Sequence, residues 1–231
     1  MRCKYCSHCC RKAGKQKNGK QKYLCKECGK YQQATYHYRA YQPSTCKKVV
    51  NLCLEGLGIR SISRYLAISK TTVLKYILAA SKKVAPPKIE GGKDYEIDEL
   101  YTFVGSKSQV CWLFYSLCKQ TRQVVSFALG ARSQQTAGKV TEKLKEVQPN
   151  KIYTDKLNLY PSLLVGENHI QGRVNQLERY NLTLRTHLKR LSRKSINFSK
   201  TFTYLEAVLR LYFWHKRVDL KEALEKRFFD I

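Results

Sequence analysis

Three carboxylates in the second half of the chain stand where chemistry could use them. Asp98 lies in "YEIDELY", Asp155 ends "KIYTD", and Glu178 stands in "NQLERYNLTLRTHLKRLSRK" (175–194). Glu178 is the single acid of that last stretch, among Arg179, Arg185, Lys189, Arg190, Arg193 and Lys194. A carboxylate beside bound phosphate is repelled unless a cation bridges the two. Metal-dependent phosphodiester chemistry asks for carboxylates that converge from distant chain positions, one divalent ion activating the attacking oxygen and another stabilising the leaving oxygen. Hard oxygen donors of this kind suit Mg2+ or Mn2+. The bland alternative for Glu178 is a salt-bridge partner. Strand alternation also puts Asp94 and Glu96 on the same face as Asp98, so spacing does not choose among those three.

A second set of residues could hold a softer metal. Cys3–Cys6 and Cys25–Cys28 are two C-x2-C knuckles separated by 18 residues. Two such knuckles turn four thiolates toward one point, the ligand set of a structural tetrahedral Zn2+. The fragment between them is small and polar, so the ion would supply its folding energy. Cys6–Cys9 is an equally good first knuckle, and His8 and Cys10 lie close by, so the ligands at that end stay open. Lys12, Lys15, Lys17, Lys20 and Lys22 crowd the same module and suit phosphate contact.

Composition agrees with a polyanionic partner. The 231 residues carry 44 Lys and Arg against 17 Asp and Glu, a formal charge of +27, and residues 1–50 hold 13 basic residues and one acid, Glu27. Such a balance speaks to nucleic acid rather than to fold. With 43% hydrophobic residues the chain can bury a core. No apolar run approaches the ~20 residues of a membrane span, and "MRCKYC" lacks the apolar stretch of a signal peptide. We expect an intracellular, cytoplasmic protein with no membrane partner. Its ten cysteines, six of them within residues 1–28, then point to metal or burial rather than to disulfides.

The elements that must position these groups fall into zones. Residues 1–40 read as a zinc-ribbon module. Residues 41–83 read as helices, and "IRSISRYLAI" followed by "SKTTVLKYIL" fits a helix-turn-helix. Its second helix would start at Ser69 as N-cap and present Lys70, Thr71, Thr72 and Lys75 to a major groove; a packing or dimerisation hairpin has the same period. Residues 84–93, "VAPPKIEGGK", read as a linker. From residue 94 to residue 231 the order is α/β: three β-branched and aromatic strands, a helix, the short strand 151–155, then mostly helix from about Leu157. In a ribonuclease-H-like sheet the first and fourth strands lie side by side. Asp98 and Asp155 would then meet, and a later helix could bring in Glu178.

The motifs themselves resemble a known family. "ERYNLTLRTHLKRLSRKSINFSK" (178–200) resembles the C-terminal signature of insertion sequence one (IS-one) transposases, "DELYTFVGSK" (98–107) with Trp112 resembles their first acidic motif, and "YTDKLNLY" (153–160) their second, departing from it at Lys156–Leu157. "NGKQKYLCKEC" (18–28) and the helices after it resemble the family's zinc-binding, DNA-end-binding part. The resemblance implies a DDE transposase with a ribonuclease-H-like catalytic domain, Asp98, Asp155 and Glu178 as its triad, and Arg179, Asn181, Arg185 and Arg190 on the DNA backbone. It further implies double-stranded DNA partners, element ends and target, a homo-oligomer on that DNA, and a bacterial protein associated with the nucleoid when bound. The competing reading is a non-catalytic zinc and helix-turn-helix repressor of the same element. That reading leaves Glu178 without a task.

Overall fold

The strand that carries Asp98 has few exposed positions on either face, the signature of a central strand covered on both sides. It is β4, Asp94–Val104. The computed structural model describes residues 1–215 except 36, 37, 43, 167, 173 and 193. Two compact units divide the chain, Met1–Gln42 and Pro43–Ile231.

The first unit is a three-stranded antiparallel sheet of β1 (Cys10–Lys15), β2 (Gln21–Cys25) and β3 (Tyr31–Gln32) in that order. Left-handed residues follow both knuckles, Ser7 at φ 63° and Gly29 at φ 66°. In each, the amide of that residue donates to the carbonyl of the knuckle's first cysteine, Ser7 to Cys3 and Gly29 to Cys25, at 3.0 Å. Gly29 is the natural occupant of such a turn.

In the second unit come α1 (Thr45–Leu54), α2 (Ile59–Leu66) and α3 (Lys70–Lys82). Ser69 caps α3 as expected, its side chain accepting from the Thr72 amide at 3.1 Å. Between α2 and α3 the chain turns through Ala67 in the left-handed region, φ 50°. Ile62, Val73 and Ile77 are wholly buried. Segment 84–93, expected as a linker, does not lead to a separate body. The guanidinium of Arg210 donates to the Ser81 carbonyl (3.2 Å) and the Val84 carbonyl (2.8 Å), tying the end of α3 to a C-terminal helix, α7 (Phe202–Trp214).

Strands β5 (Ser106–Cys118), β6 (Val124–Gly130), β7 (Lys151–Thr154) and β8 (His169–Gln171) complete a five-stranded mixed sheet with β4. The order is β6-β5-β4-β7-β8. β4 pairs antiparallel with β5 and parallel with β7, so the first and fourth strands are neighbours, as expected. β8 interrupts the mostly helical stretch expected from about Leu157. Three residues, His-Ile-Gln, are too few to show a period, and partnership with β7 alone makes them a strand.

Alternation along β4 sends Tyr95, Ile97 and Glu99 to one face and Glu96 and Asp98 to the other. On the first face Tyr95, Ile97, Phe114, Ile152 and Tyr160 form a core with Ala137, Val140 and Leu144 of α4 (Gln134–Lys145); Tyr160 opens α5 (Tyr160–Leu163). Against the second face lie α6 (Asn175–His187) and the aromatic end of α7, where Phe213 stacks on Tyr115 with centroids 6.0 Å apart. The basic stretch 175–194 is therefore not one helix. α6 stops at His187, and a single 3-10 turn, Lys189–Leu191, follows. Among the described residues no helix is long and apolar enough to cross a membrane.

Candidate active site

The parallel pair β4–β7 matches Ile97 with Thr154. The next residue on each strand is therefore an acid, Asp98 beside Asp155. Oxygens of Asp98, Glu99 and Asp155 all lie within 4.8 Å of one another. Glu99 was not anticipated from the sequence. Its side chain leaves the opposite face of β4 and is 3% exposed, held by the Arg132 guanidinium (2.5 Å) and the Tyr160 hydroxyl (3.1 Å). Arg132 in turn lies over the Trp112 ring, 4.6 Å from its centroid.

The other acids of β4 have different partners, which separates what spacing left open. Glu96 is buried and accepts from the Leu177 amide at 3.0 Å, fastening the first turn of α6; the Lys119 ammonium lies 3.5 Å away. A carboxylate at a helix N-terminus meets unpaired amides and the positive end of the helix dipole. Asp94, at the strand start, accepts from Asn150 at 2.7 Å.

Asp98 is 8% exposed. It accepts from the Glu99 amide at 2.8 Å and from Asn181 Nδ2 at 2.7 Å, and Asn181 Oδ1 accepts from the Tyr115 hydroxyl at 2.7 Å. Burial pushes the Asp98 carboxyl up to about 7, opposed by the Glu99 amide and reinforced by the Glu99 and Asp155 charges. Asp155 is half-buried and accepts from the Leu157 amide at 3.1 Å, closing a turn on itself. Arg132 offsets the Glu99 charge, and Asp98 and Asp155 repel each other when both are ionised unless a cation joins them. The donor set is all oxygen, so it fits a hard divalent ion.

Glu178 is not part of that group of three; it is exposed on the first turn of α6. It does share a helix face with Asn181, Leu182 and Arg185, spaced i, i+3, i+4 and i+7. Asn181 joins that face to Asp98.

The residues expected on DNA divide. Arg179, Lys189 and Lys194 are exposed, Arg185 is half-buried, and Arg193 lies outside the described residues. Asn181 already uses both ends of its amide within the site. Arg190 turns inward, donating to Ser199 Oγ at 2.9 Å, and its burial lowers its pKa. Lys70, Thr71 and Lys75 are exposed and Thr72 half-buried on α3, with the hydroxyls of Thr71 and Thr72 at 2.7 and 2.8 Å from Ser69 Oγ. In the N-terminal unit Lys20 sits at the β1–β2 turn and Lys22 Nζ lies 3.7 Å from the centre of the Tyr31 ring.

The second cluster joins the Sγ atoms of Cys3, Cys6, Cys25 and Cys28, all within 4.8 Å. Cys3 and Cys28 are 3.6 Å apart, Cys6 and Cys25 3.4 Å. A tetrahedral Zn2+ with Zn–S of ~2.3 Å asks for sulfurs about 3.8 Å apart, so the group fits. Cys9 is exposed and outside it. The Tyr5 amide, 3.4 Å from Cys3 Sγ, holds that thiol down at about 6, and the Cys28 amide lowers Cys25. Cys6 moves the other way: against the lowering His8 amide, burial and the neighbouring thiols push it up to about 12, so without a cation the four sulfurs do not ionise together.

Comparison with known proteins gives a match to the family described as IS1 transposase over residues 94–218. The chain is 36% identical over 141 residues to the insertion element IS1 4 protein InsB of Escherichia coli (strain K12), covering 57% of this chain and 84% of that protein. The IS1 2 protein InsB of the same strain matches to the same extent. Among solved structures, a chain of the simian T-cell lymphotropic virus intasome with PP2A regulatory subunit B56 gamma is similar with a TM-score of 0.39 at 14% identity, over 71% of this chain and 65% of that one. The HTLV-2 integrase catalytic core domain in complex with magnesium gives 0.35 at 10% identity, over 55% and 86%.

Proposed function

Because the chain belongs to the IS1 transposase family, we propose that it binds the DNA ends of an insertion element and cuts and joins them by DDE chemistry. The observation that carries this reading is the meeting of Asp98 and Asp155 across the β4–β7 pair, with Asn181 linking Asp98 to the α6 face that bears Glu178. Asp98, Asp155 and Glu178 form the proposed triad on a ribonuclease-H-like sheet. The strand order, with β4 flanked by antiparallel β5 and parallel β7, supports that reading of the sheet.

Mg2+ or Mn2+, when bound, would supply an activated water and stabilisation of the leaving oxygen. The protein's own groups do the positioning. Asn181 orients Asp98, Glu96 anchors the start of α6, and the Asp155 turn holds its carboxylate at the strand end. Asp98, Asp155 and Glu178 would be the residues that hold the ions, Glu178 from the exposed α6 face next to Asn181. Arg179, Arg185, Lys189 and Lys194 supply positive charge for phosphates. The N-terminal unit, held by Zn2+ on Cys3, Cys6, Cys25 and Cys28, and the helix pair α2–α3 with Lys70, Thr71, Thr72 and Lys75 recognise the ends. Two ends must be joined, so the working form is a homo-oligomer on DNA.

The test uses the full chain, DNA carrying the ends that flank its gene, and Mg2+ or Mn2+, run beside Glu178→Gln. Nicking at 3′ ends and joining to a plasmid by the parent alone is the expected result. Joined product from the variant removes Glu178 from the triad. Specific binding without cleavage by either protein replaces this reading with that of a repressor.

A further inference from the structure

Helix α6 keeps one large apolar side chain in water. Its other leucines, Leu177 and Leu184, are wholly buried against the sheet, whereas Leu182 is 67% exposed. It occupies the stripe of Glu178, Asn181 and Arg185, and Asn181, the residue before it, donates to Asp98. Leu182 stands four residues, about 6 Å along the helix axis, beyond Glu178. Around it the surface is cationic, with Arg179 exposed on the same helix and Lys189 just past its end. A polyanion would cover this face, and the apolar surface a DNA duplex offers lies between its bases. Apolar side chains pushed between base steps unstack them and open the duplex locally.

We propose that Leu182 is a wedge that enters the base stack beside the phosphate held at Asp98 and Asp155 and opens the terminal base pairs of the element end. This rests on the reading of the site as one that acts on DNA ends. Opening the end bares the scissile phosphate to carboxylates that approach from two strands, which a closed duplex hinders. The occupant of the Leu182 face is the DNA duplex itself. A second copy of the chain covering this face would be the competing occupant.

The full chain and Leu182→Ala are compared on two duplexes, one fully paired and one with the two pairs beside the scissile phosphate mismatched. An exposed side chain can be shortened without disturbing the core, which circular dichroism checks. We expect the variant to cut the paired duplex at least tenfold more slowly and the mismatched duplex within twofold of the parent. A 2-aminopurine at the terminal pair should brighten when the parent binds and stay dim with the variant, at matched occupancy and without added metal. Equal rates on the paired duplex, or equal slowing on both, overturn the wedge. So does slowing accompanied by a change in oligomeric state, which assigns the face to a second copy. If the parent cuts neither duplex, the catalytic reading fails, yet the fluorescence still decides: brightening with the parent alone supports the wedge, and none with the parent refutes it.

Discussion

Replacing Asp98 by Asn should stabilise the metal-free protein above neutral pH while abolishing its response to divalent metal. The folded state holds the Asp98 proton up to about pH 7, whereas an unfolded aspartate releases it near the ordinary 3.8. Between those values the folded state binds more protons, so stability falls as pH rises from about 4 to about 7 and is level above. At ~1.4 kcal/mol per tenfold change in proton affinity, ionising Asp98 inside the fold costs about 4 kcal/mol. The asparagine of the variant avoids that cost but can accept only one of the two hydrogen bonds now made by Asn181 and the Glu99 amide. Leaving the other unmade costs about 1 kcal/mol. The net expectation is a gain of about 2–3 kcal/mol at pH 8 that vanishes or reverses near pH 4.5. Urea unfolding of both proteins across that range, with Zn2+ present throughout, reads it directly. Added Mg2+ should raise the parent's midpoint at pH 8 far more than at pH 6, where protons compete for Asp98, and should leave the variant unmoved. A parent as stable as Asp98→Asn at pH 8, or a gap that does not change with pH, would refute the account of a desolvated carboxylate.

Two further outcomes follow from the same geometry. Arg132→Ala leaves the Glu99 carboxylate buried beside Asp98 and Asp155 with Tyr160 as its remaining side-chain donor among the described residues. Arg132 is itself nearly half exposed, so the loss should be about 1–3 kcal/mol rather than that of a fully buried pair; a thermal melt should show the loss and its partial recovery in Mg2+. For the N-terminal cluster, a chromogenic chelator should release one Zn2+ per chain from the parent and from Cys9→Ser, and none from Cys25→Ser. A full equivalent from Cys25→Ser would remove that residue from the ligand set.

Element types were largely legible because each had a local cause. The β-branched and aromatic content of β4, β5 and β6, the Ser69 cap on α3 and the cysteine spacing are statements about neighbours in sequence. Charge was legible for the same reason, since phosphate attraction depends on the sum of cations rather than on their arrangement. β8 was not, because His169, Ile170 and Gln171 become a strand only through hydrogen bonds to β7, which no window of their own sequence contains.

The site shows the same division more sharply. Asp98 could be named within the first strand and Asp155 at the end of the fourth, but Asp94, Glu96 and Asp98 are equivalent by period. Only the fold tells them apart, by giving Glu96 to the first turn of α6 and Asp98 to Asn181. Glu99 escaped notice because an odd position on an alternating strand should face away from Asp98, and it does. It joins the cluster because Asp155, at the end of the neighbouring strand, lies within reach of both faces. Arg190 looked like a phosphate ligand in a row of cations, yet the end of α6 at His187 turned it onto Ser199. Residue order alone was enough to set which chemical groups the protein carries and which helices and strands present them. Which of those groups meet was left to the folded chain, because strand register and helix docking bring together residues far apart in sequence, and local periodicity holds no record of that distance.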